Sequence, residues 1–288
     1  YRGFPVTVWL RSEGSIERAK PRFERLRDIY IRTLEAMKTN PAAYCRGLAS
    51  KDATAELLDE LKAKAERAYE SIAYTTSYEE AAQTADLVIE AIAEEPKQKI
   101  ALYVELAKYL PENTIIATNS STMLPSAFAE YTGRPGKYLA LHFANEIWRN
   151  NTAEVMGHAA TSSEAYDAVV DFATAIGMIP LKLKKEQPGY ILNSMLVPFL
   201  STAEQLLAND VADVETIDKT WRLATGAPLG PFRILDVVGL TTAYNIGMLD
   251  PRAADPNTVQ GKVAAMLRRY VEEGKTGVNA GEGFYKYR

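Results

Sequence analysis

Short runs of apolar and β-branched residues alternate with amphipathic segments along the first two thirds of the chain. This alternation constrains the fold more than any other feature. The runs are FPVTVWL, ADLVIEAI, NTIIATNSS, YLALHF, TAEVMGH and MIPLKLKK, at residues 4–10, 85–92, 113–121, 138–143, 152–158 and 178–185. Strands that alternate with helices form a parallel sheet covered by helices on both faces. We therefore predict an α/β domain with a doubly wound sheet.

The segments between these runs have the three- and four-residue apolar spacing of helices. We predict helices over residues 23–37, 53–70 and 96–108, and another helix after the run that ends at residue 121. Pro21 is expected near the first turns of its helix or at a kink, because proline has no amide hydrogen to donate.

The character of the sequence changes near Pro188. Residues 190–248 contain long apolar helical stretches, among them YILNSMLVPFLSTAEQLL, and no convincing strand. A change from alternating strands and helices to helices alone is typical of a domain boundary. We therefore predict an α/β domain over residues 1–187, followed by an all-α domain over residues 188–288.

Charge, cysteine content and apolar run length narrow the classes of partner. The 288-residue chain has a net charge of -4 and no block of Lys and Arg, so we expect no nucleic-acid partner. Cys45 is the single cysteine, which favours a reducing, cytoplasmic setting. Apolar runs such as MLVPFL are far shorter than the ~20 residues that span a bilayer, and we expect neither a membrane partner nor a metal site.

Polar residues stand where the predicted strands end, which is the edge at which doubly wound sheets bind ligands. His142 ends one strand and could remove a proton from a substrate hydroxyl as a hydride leaves. Glu154 lies twelve residues further on, and a hairpin-like return of the chain would bring its carboxylate to the imidazole. The alternative is a strand-end histidine that is hydrogen-bonded to the backbone.

Other strand ends carry weaker candidates. Ser120 and Ser121 follow Asn119, and their hydroxyls either hold a substrate oxygen or cap the next helix, which is the commoner role. Asn193 lies early in the first helix of the second domain. Arg11 follows the first run and is either a solvated turn residue or a ligand of a nucleotide 2′-phosphate.

Several segments, taken together in their order and spacing, resemble the L-3-hydroxyacyl-CoA dehydrogenase family, which includes the bacterial 3-hydroxybutyryl-CoA dehydrogenases. They are ADLVIEAIAEEPKQK, TIIATNSST, LHFAN with AEVM, QPGYILNSMLVPFL, GAPLGPFRILDVVGL and the terminal GEGFYKY. The resemblance implies a Rossmann-type dinucleotide-binding domain and a helical substrate and dimerisation domain. It also implies a homodimeric enzyme of fatty acid metabolism, which transfers hydride between a nicotinamide and C3 of a 3-hydroxyacyl thioester.

Carried over by position, the resemblance assigns His142 as the general base and Glu154 as the residue that orients and charge-stabilises it. It places Ser121 and Asn193 at the positions that hold substrate oxygen and nicotinamide-side groups. The cofactor-binding residues that it implies after the second and third runs are Glu94, Lys99 and Asn119.

The sequence departs from the family at its cofactor end. The family's first strand and glycine-rich phosphate loop fall roughly twenty residues before Tyr1, and we expect the natural protein to have them. The ribose-binding acid is replaced by Leu10, followed by Arg11 and Ser12. A guanidinium and a hydroxyl can both bind a 2′-phosphate, whereas losing the carboxylate removes an acceptor for NAD. We therefore expect NADP(H) as the favoured cofactor, with NAD(H) as the alternative.

The substrate end departs from the family as well. ANEIWRNN replaces the proline-containing stretch that usually follows the histidine, and its Trp148 and Arg149 either line the acyl pocket or pack at the rim. Leu26 and Thr33 stand where the family tends to carry CoA-contacting residues, and Asn279-Ala280 replaces a lysine. We expect a short-chain acyl-CoA substrate. A dehydrogenase of a free 3-hydroxy acid, such as gulonate or carnitine, and a non-catalytic crystallin-like protein are the alternatives.

Overall fold

The structure is a computed structural model and describes residues 1–287. The chain divides into two compact units, the first from Tyr1 to Ile191 and the second from Leu192 onwards. Strands paired into sheets lie in the first unit, and helices form the second. The prediction of an α/β domain followed by a helical domain is confirmed.

The first unit alternates short strands with helices. Its strands are β1 (Thr7–Trp9), β2 (Ala73–Thr75), β3 (Leu87–Glu90), β4 (Ile115–Thr118), β5 (Tyr138–Phe143), β6 (Thr152–Met156) and β7 (Ile179–Lys182). Its helices are α1 (Glu13–Met37), α2 (Ala55–Glu70), α3 (Tyr78–Ala82), α4 (Pro96–Leu106) and α5 (Ser163–Ala175). Every β-rich run of the sequence contains a strand. β2 and α3 are additional elements, too short to show a periodicity.

The strands form two sheets. β1 and β2 make a two-stranded parallel sheet, and the second sheet has the order β3-β4-β5-β6-β7. Neighbours in the larger sheet are parallel except β5 and β6, which are antiparallel. The carboxyl ends of β3, β4 and β5 therefore lie at one edge of this sheet, where loops from several strands meet.

Both faces of the larger sheet are buried. Ala117 and Leu139 pack with Val169 of α5 on one face, whereas the residues before them, Ile116 and Tyr138, pack with α4 on the other. Successive side chains of a strand point to opposite faces, so a strand covered on both sides is apolar throughout. This burial explains why the sequence shows continuous apolar runs rather than strict alternation.

One local prediction was wrong, and one of the two alternatives for Pro21 does not hold. No α-helix follows β4; the chain forms 3₁₀ turns at Pro125–Ala127 and Ala129–Thr132, and Gly133 then adopts a left-handed conformation with φ 67°. The helix that contains Pro21 begins at Glu13, so the proline lies in the helix interior. Ser12 starts this helix earlier than apolar spacing indicates, because its hydroxyl caps the first turn by accepting from the Ser15 amide.

The second unit packs helices around one apolar core. Its helices are α6 (Tyr190–Ala208), α7 (Val214–Thr225), α8 (Pro231–Val238), α9 (Leu240–Gly247) and α10 (Val259–Glu272). The first two residues of α6 belong to the first unit. Two buried aspartates fix this unit. Asp218 accepts from the Phe232 amide at the start of α8, and Asp236 accepts from the Phe284 amide in the terminal GEGFYKY segment.

Helix α6 combines length with apolar character. It has 19 residues and a mean hydropathy of 1.2, so it is long and apolar enough to cross a bilayer. Of the residues in its apolar stretch, 17% are buried. A core helix of a globular domain meets the same criteria. Leu200 and Ala203 of α6 belong to the core of the second unit. Elsewhere along the helix, apolar side chains such as Met195 are exposed.

Candidate active site

His142 and Glu154 are direct partners across the antiparallel pair β5-β6. Side chains at such positions point to the same face and lie about 5 Å apart at their Cβ atoms. Here His142 Nδ1 lies 3.1 Å from Glu154 Oε2, and the two residues are 6% and 3% exposed. The hairpin-like return expected from the sequence therefore exists, and strand register brings the carboxylate to the imidazole.

This contact determines which ring nitrogen is available for chemistry. A carboxylate can only accept, so in the neutral imidazole the proton lies on Nδ1 and the lone pair on Nε2. Nε2 lies 3.2 Å from Ser121 Oγ, whose hydroxyl can donate to that lone pair. The arrangement can take a proton at Nε2 and stabilise the resulting imidazolium through Glu154.

Glu94 holds the loop that presents Ser121. Its carboxylate accepts from the Ser121 amide at 2.6 Å and from Ser120 Oγ at 2.7 Å. Ser120 Oγ also accepts from the Met123 amide, as an N-cap would, although no α-helix begins there. Asn119 Oδ1 accepts from the Phe143 amide and so joins the ends of β4 and β5.

A buried ion pair lies next to this loop. Lys99 Nζ donates to both oxygens of Glu90, at 2.8 and 3.0 Å, and both residues are almost fully buried. Thr118 and Tyr103 hydroxyls also donate to Glu90, and burial raises the pKa of the Tyr103 hydroxyl. Lys99 thus has an internal partner, and its contact with a cofactor stays a prediction.

Tyr190 is a site residue that sequence reasoning missed. Its ring stacks on the His142 imidazole with centroids 4.3 Å apart and planes 8° from parallel, and its hydroxyl donates to the Ser120 carbonyl. The next residue, Ile191, donates its amide to Glu154 Oε1 at 2.8 Å. No periodicity marks Tyr190, because its position depends on a left-handed turn, with φ 76° at Gly189 and 54° at Tyr190.

The segment between the two dyad members reaches a separate apolar cluster through Trp148. Trp148 is half-buried against Leu34, Cys45 and Leu48, and its carbonyl accepts from the Gly47 amide. A Cβ at Gly47 would overlap the Ile147 carbonyl oxygen, so only glycine allows this close approach. The structure places the Trp148 side chain in this apolar cluster, and Arg149 is exposed. Their position in the acyl pocket or at its rim stays a prediction.

Arg11, Ser12 and Asn193 are the remaining predicted residues. Arg11 and Ser12 are exposed at the carboxyl end of β1, where Arg11 donates to Gln98 Oε1 at 3.2 Å, at the start of α4. This bond connects the carboxyl end of β1 with α4, the helix that follows β3. Asn193 is half-buried in the first turn of α6, within the second unit.

Two family profiles together match nearly the whole chain. The profile described as 3-hydroxyacyl-CoA dehydrogenase, NAD binding domain, matches residues 2–187, and that of the C-terminal domain matches residues 189–287. Human mitochondrial hydroxyacyl-coenzyme A dehydrogenase is 36% identical over 77% of this chain and 70% of its own length. A probable 3-hydroxybutyryl-CoA dehydrogenase of Deinococcus radiodurans is 33% identical over 75% of this chain and 76% of its own.

Solved structures agree with these matches. One of them is a diketoreductase, whose description is substrate-directed dual catalysis of dicarbonyl compounds. It is 46% identical to this chain, with a TM-score of 0.82. That similarity covers 99% of this chain and 91% of the diketoreductase. The (S)-3-hydroxybutyryl-CoA dehydrogenase from Ralstonia eutropha is 29% identical with a TM-score of 0.66, over 81% of this chain and 82% of its own.

The buried ion pair yields a stability prediction. Lys99→Met leaves the Glu90 carboxylate buried without a cation, and we expect the free energy of unfolding to fall by about 3–5 kcal/mol. The double variant Glu90→Gln with Lys99→Met removes both charges and should recover most of that loss. Urea unfolding measures both values.

The control is Lys108→Met, which removes an exposed ammonium paired with Glu105 and should change stability little. If Lys99→Met matches this control, or if the double variant is as unstable as the single one, the ion pair does not carry the charge balance of this region.

Proposed function

The chain belongs to the 3-hydroxyacyl-CoA dehydrogenase family, and we propose that it is an oxidoreductase acting at C3 of a short-chain 3-hydroxyacyl-CoA or 3-oxoacyl-CoA. The hydride is exchanged with NAD(P)(H). The observation that carries the proposal is the buried contact of His142 with Glu154. This contact leaves Nε2 of the imidazole facing Ser121. A protein with only a structural role has no need for such a buried, polar arrangement at a strand edge.

The proton path follows from the tautomer. In oxidation, the C3–H bond gives up a hydride while the hydroxyl gives up its proton to Nε2 of His142, and Glu154 stabilises the imidazolium. In reduction, the imidazolium returns that proton to the ketone oxygen. When the substrate is bound, the Ser121 hydroxyl is proposed to turn from Nε2 and to donate its hydrogen to the same oxygen. Asn193 is included because of its family position alone.

A nicotinamide dinucleotide supplies or accepts the hydride when it is bound. Arg11, Ser12, Glu94, Lys99 and Asn119 are the residues proposed to hold it. Arg11 fits a phosphate because it is exposed and its guanidinium donates to a neutral amide oxygen, that of Gln98. Leu10 provides no acceptor for a ribose hydroxyl. These two features support NADP(H) over NAD(H), although the family profile is that of an NAD binding domain.

A dicarbonyl compound without CoA is the second candidate substrate. Its support is the 46% identity to the diketoreductase, which exceeds the identity to the two CoA-dependent relatives and extends over nearly the whole chain. Leu26, at a position where the family tends to bind CoA, is an exposed apolar residue without charge. A free 3-hydroxy acid belongs to the same CoA-independent class.

We also propose that the protein is a homodimer through its second unit. That unit exposes large apolar side chains which water solvates poorly. Those most exposed are Met195, Val211, Leu223 and Leu249, at 63%, 65%, 76% and 77%. A cytoplasmic location is proposed because the single thiol, Cys45, is buried and unpaired with any other cysteine of the chain.

The first test is reduction of a 3-oxo compound by the full-length protein. Acetoacetyl-CoA should support oxidation of NADPH, and His142→Gln should lower kcat at least about a hundredfold, because general acid–base catalysis contributes that much. His158→Gln is the matched control, since it removes the other imidazole of the chain, and it should leave kcat within about twofold of wild type.

Free acetoacetate and ethyl acetoacetate, assayed in parallel, separate the substrate classes. Faster turnover of acetoacetyl-CoA supports a CoA enzyme, whereas equal or faster turnover of the other two supports the CoA-independent class. If no substrate oxidises NADPH or NADH above background, the enzyme proposal is wrong. If His142→Gln keeps wild-type activity, the base is wrong.

Cofactor preference is tested at Leu10. Leu10→Asp restores a carboxylate that accepts from the NAD ribose and repels a 2′-phosphate, so the ratio of kcat/KM for NADPH to that for NADH should fall about tenfold or more. Leu26→Asp adds the same charge on α1 and should leave the ratio unchanged. An unchanged ratio in Leu10→Asp contradicts the assignment of this turn to the 2′-phosphate.

Light scattering tests the oligomer. A particle of twice the chain mass is expected, and Leu223→Asp should shift it toward the monomer, because the aspartate would be buried at the proposed interface. The matched change Leu57→Asp, at an exposed position of helix α2 in the first unit, should have no such effect. A monomeric wild type over a wide concentration range excludes the dimer.

A further inference from the structure

Two consecutive residues, Tyr190 and Ile191, contact the groups that define the proposed acid/base site. The Tyr190 ring stacks on His142, the Ile191 amide donates to Glu154 Oε1, and the Tyr190 hydroxyl donates at 2.7 Å to the carbonyl of the residue before Ser121. Tyr190 is 1% exposed. These contacts all lie within the first unit.

We propose that Tyr190 is a positioning residue for His142, resting on the acid/base role given to His142 above. Its ring fixes the plane of the imidazole. Its hydroxyl holds the segment that carries Ser120 and Ser121, the serine loop, next to that imidazole. The distance between His142 Nε2 and Ser121 Oγ is therefore set from both sides by one residue.

The hydrogen bond to Glu154 cannot fix the imidazole alone. The ring turns about the Cβ–Cγ bond, and because this torsion of histidine has a broad profile, one hydrogen bond at Nδ1 holds the ring plane only loosely. A parallel ring 4.3 Å away blocks that motion on one face. Rocking would carry Nε2 out of line with Ser121, so the stacked ring protects the alignment needed for proton transfer.

The phenol hydroxyl adds a function that the ring lacks. It bonds the Ser120 carbonyl, while Glu94 binds the hydroxyl of Ser120 and the amide of Ser121. The serine loop is thus held by Glu94, which follows β3, and by Tyr190. Burial raises the pKa of the Tyr190 hydroxyl, which keeps it protonated and able to donate.

The backbone at Tyr190 agrees with this role. A φ of 54° is uncommon for a bulky side chain, and it persists only where surrounding contacts determine the conformation. Here the ring packs with Ala140, Met156 and Leu183, in addition to its stacking on His142. The turn therefore delivers the ring to the imidazole and the following amide to Glu154.

The spectroscopic test uses the fact that the chain has only two histidines. In a His158→Gln background, the imidazole signals that are lost on a further His142→Gln change belong to His142, and the tyrosine ring current should shift its carbon-bound protons upfield. Tyr190→Phe should keep that shift, and Tyr190→Leu should abolish it. Nitrogen shifts of the imidazole report its tautomer. Unchanged proton shifts in Tyr190→Leu overturn the proposed stacking, whether or not the protein has enzymatic activity.

The kinetic test separates positioning from binding. Tyr190→Leu should lower kcat about a hundredfold with KM values within about threefold of wild type, as expected for a misplaced catalytic group. Tyr190→Phe, which loses only the hydroxyl, should lower kcat by about three- to tenfold. The matched control is Tyr166→Phe, which removes a tyrosine hydroxyl bonded to the Val155 carbonyl and should leave kcat unchanged.

Each other outcome has a definite meaning. A kcat for Tyr190→Phe equal to that of Tyr166→Phe overturns the role of the hydroxyl, and this comparison remains available if Tyr190→Leu does not fold. A folded Tyr190→Leu with wild-type kcat, or with loss confined to KM, overturns positioning. If wild-type protein turns over no substrate, the proposed function fails, and the imidazole signals alone decide the structural part.

Discussion

The antiparallel pairing of β5 and β6 is the constraint on which the candidate site depends. Between parallel strands, a crossover connection would separate His142 from the residue opposite it, and the identity of that residue would bear no simple relation to sequence spacing. A hairpin instead pairs residue with residue, so that His142 and Glu154 share a face of the sheet at adjacent positions. The catalytic hypothesis thus rests on a register, and a one-residue slip would point Glu154 to the opposite face.

Burial explains why so many polar contacts converge at this edge of the sheet. The His142–Glu154 contact, the Glu90–Lys99 ion pair and the contacts of Glu94 with the serine loop lie beside one another. Both members of the first contact and both members of the ion pair are almost fully buried. A buried carboxylate is destabilising unless donors satisfy it. Glu90 has donors from a lysine, a tyrosine, a threonine and an amide, and Glu154 has donors from His142 and the Ile191 amide. The network is therefore stable as a set, and it orders the groups that the proposed chemistry needs.

Much of this architecture was predictable. The apolar runs marked the strands of the larger sheet because strands buried on both faces must be apolar along their length. His142 stood out because it is a titratable residue at the end of such a run, and Glu154 because it lies in the next run. The 3₁₀ turns after β4 and the interior position of Pro21 were not predictable, since a cap at Ser12 and a left-handed glycine at residue 133 outweigh apolar spacing locally. β2 and α3 were missed because three to five residues cannot establish a period.

The sequence by itself determined the class of fold, the edge of the sheet at which we propose that ligands bind and the pair of residues most suited to acid–base chemistry. These follow from periodicity and residue type, which are local properties of the chain. Only the tertiary structure decided that Lys99 is paired inside the protein with Glu90, that Trp148 packs into an apolar cluster, and that Tyr190 lies flat against His142. Tyr190 is 48 residues from His142 in sequence, and its approach depends on a left-handed turn at Gly189 and Tyr190. Contacts of that kind arise when distant segments pack together, and no local pattern encodes them.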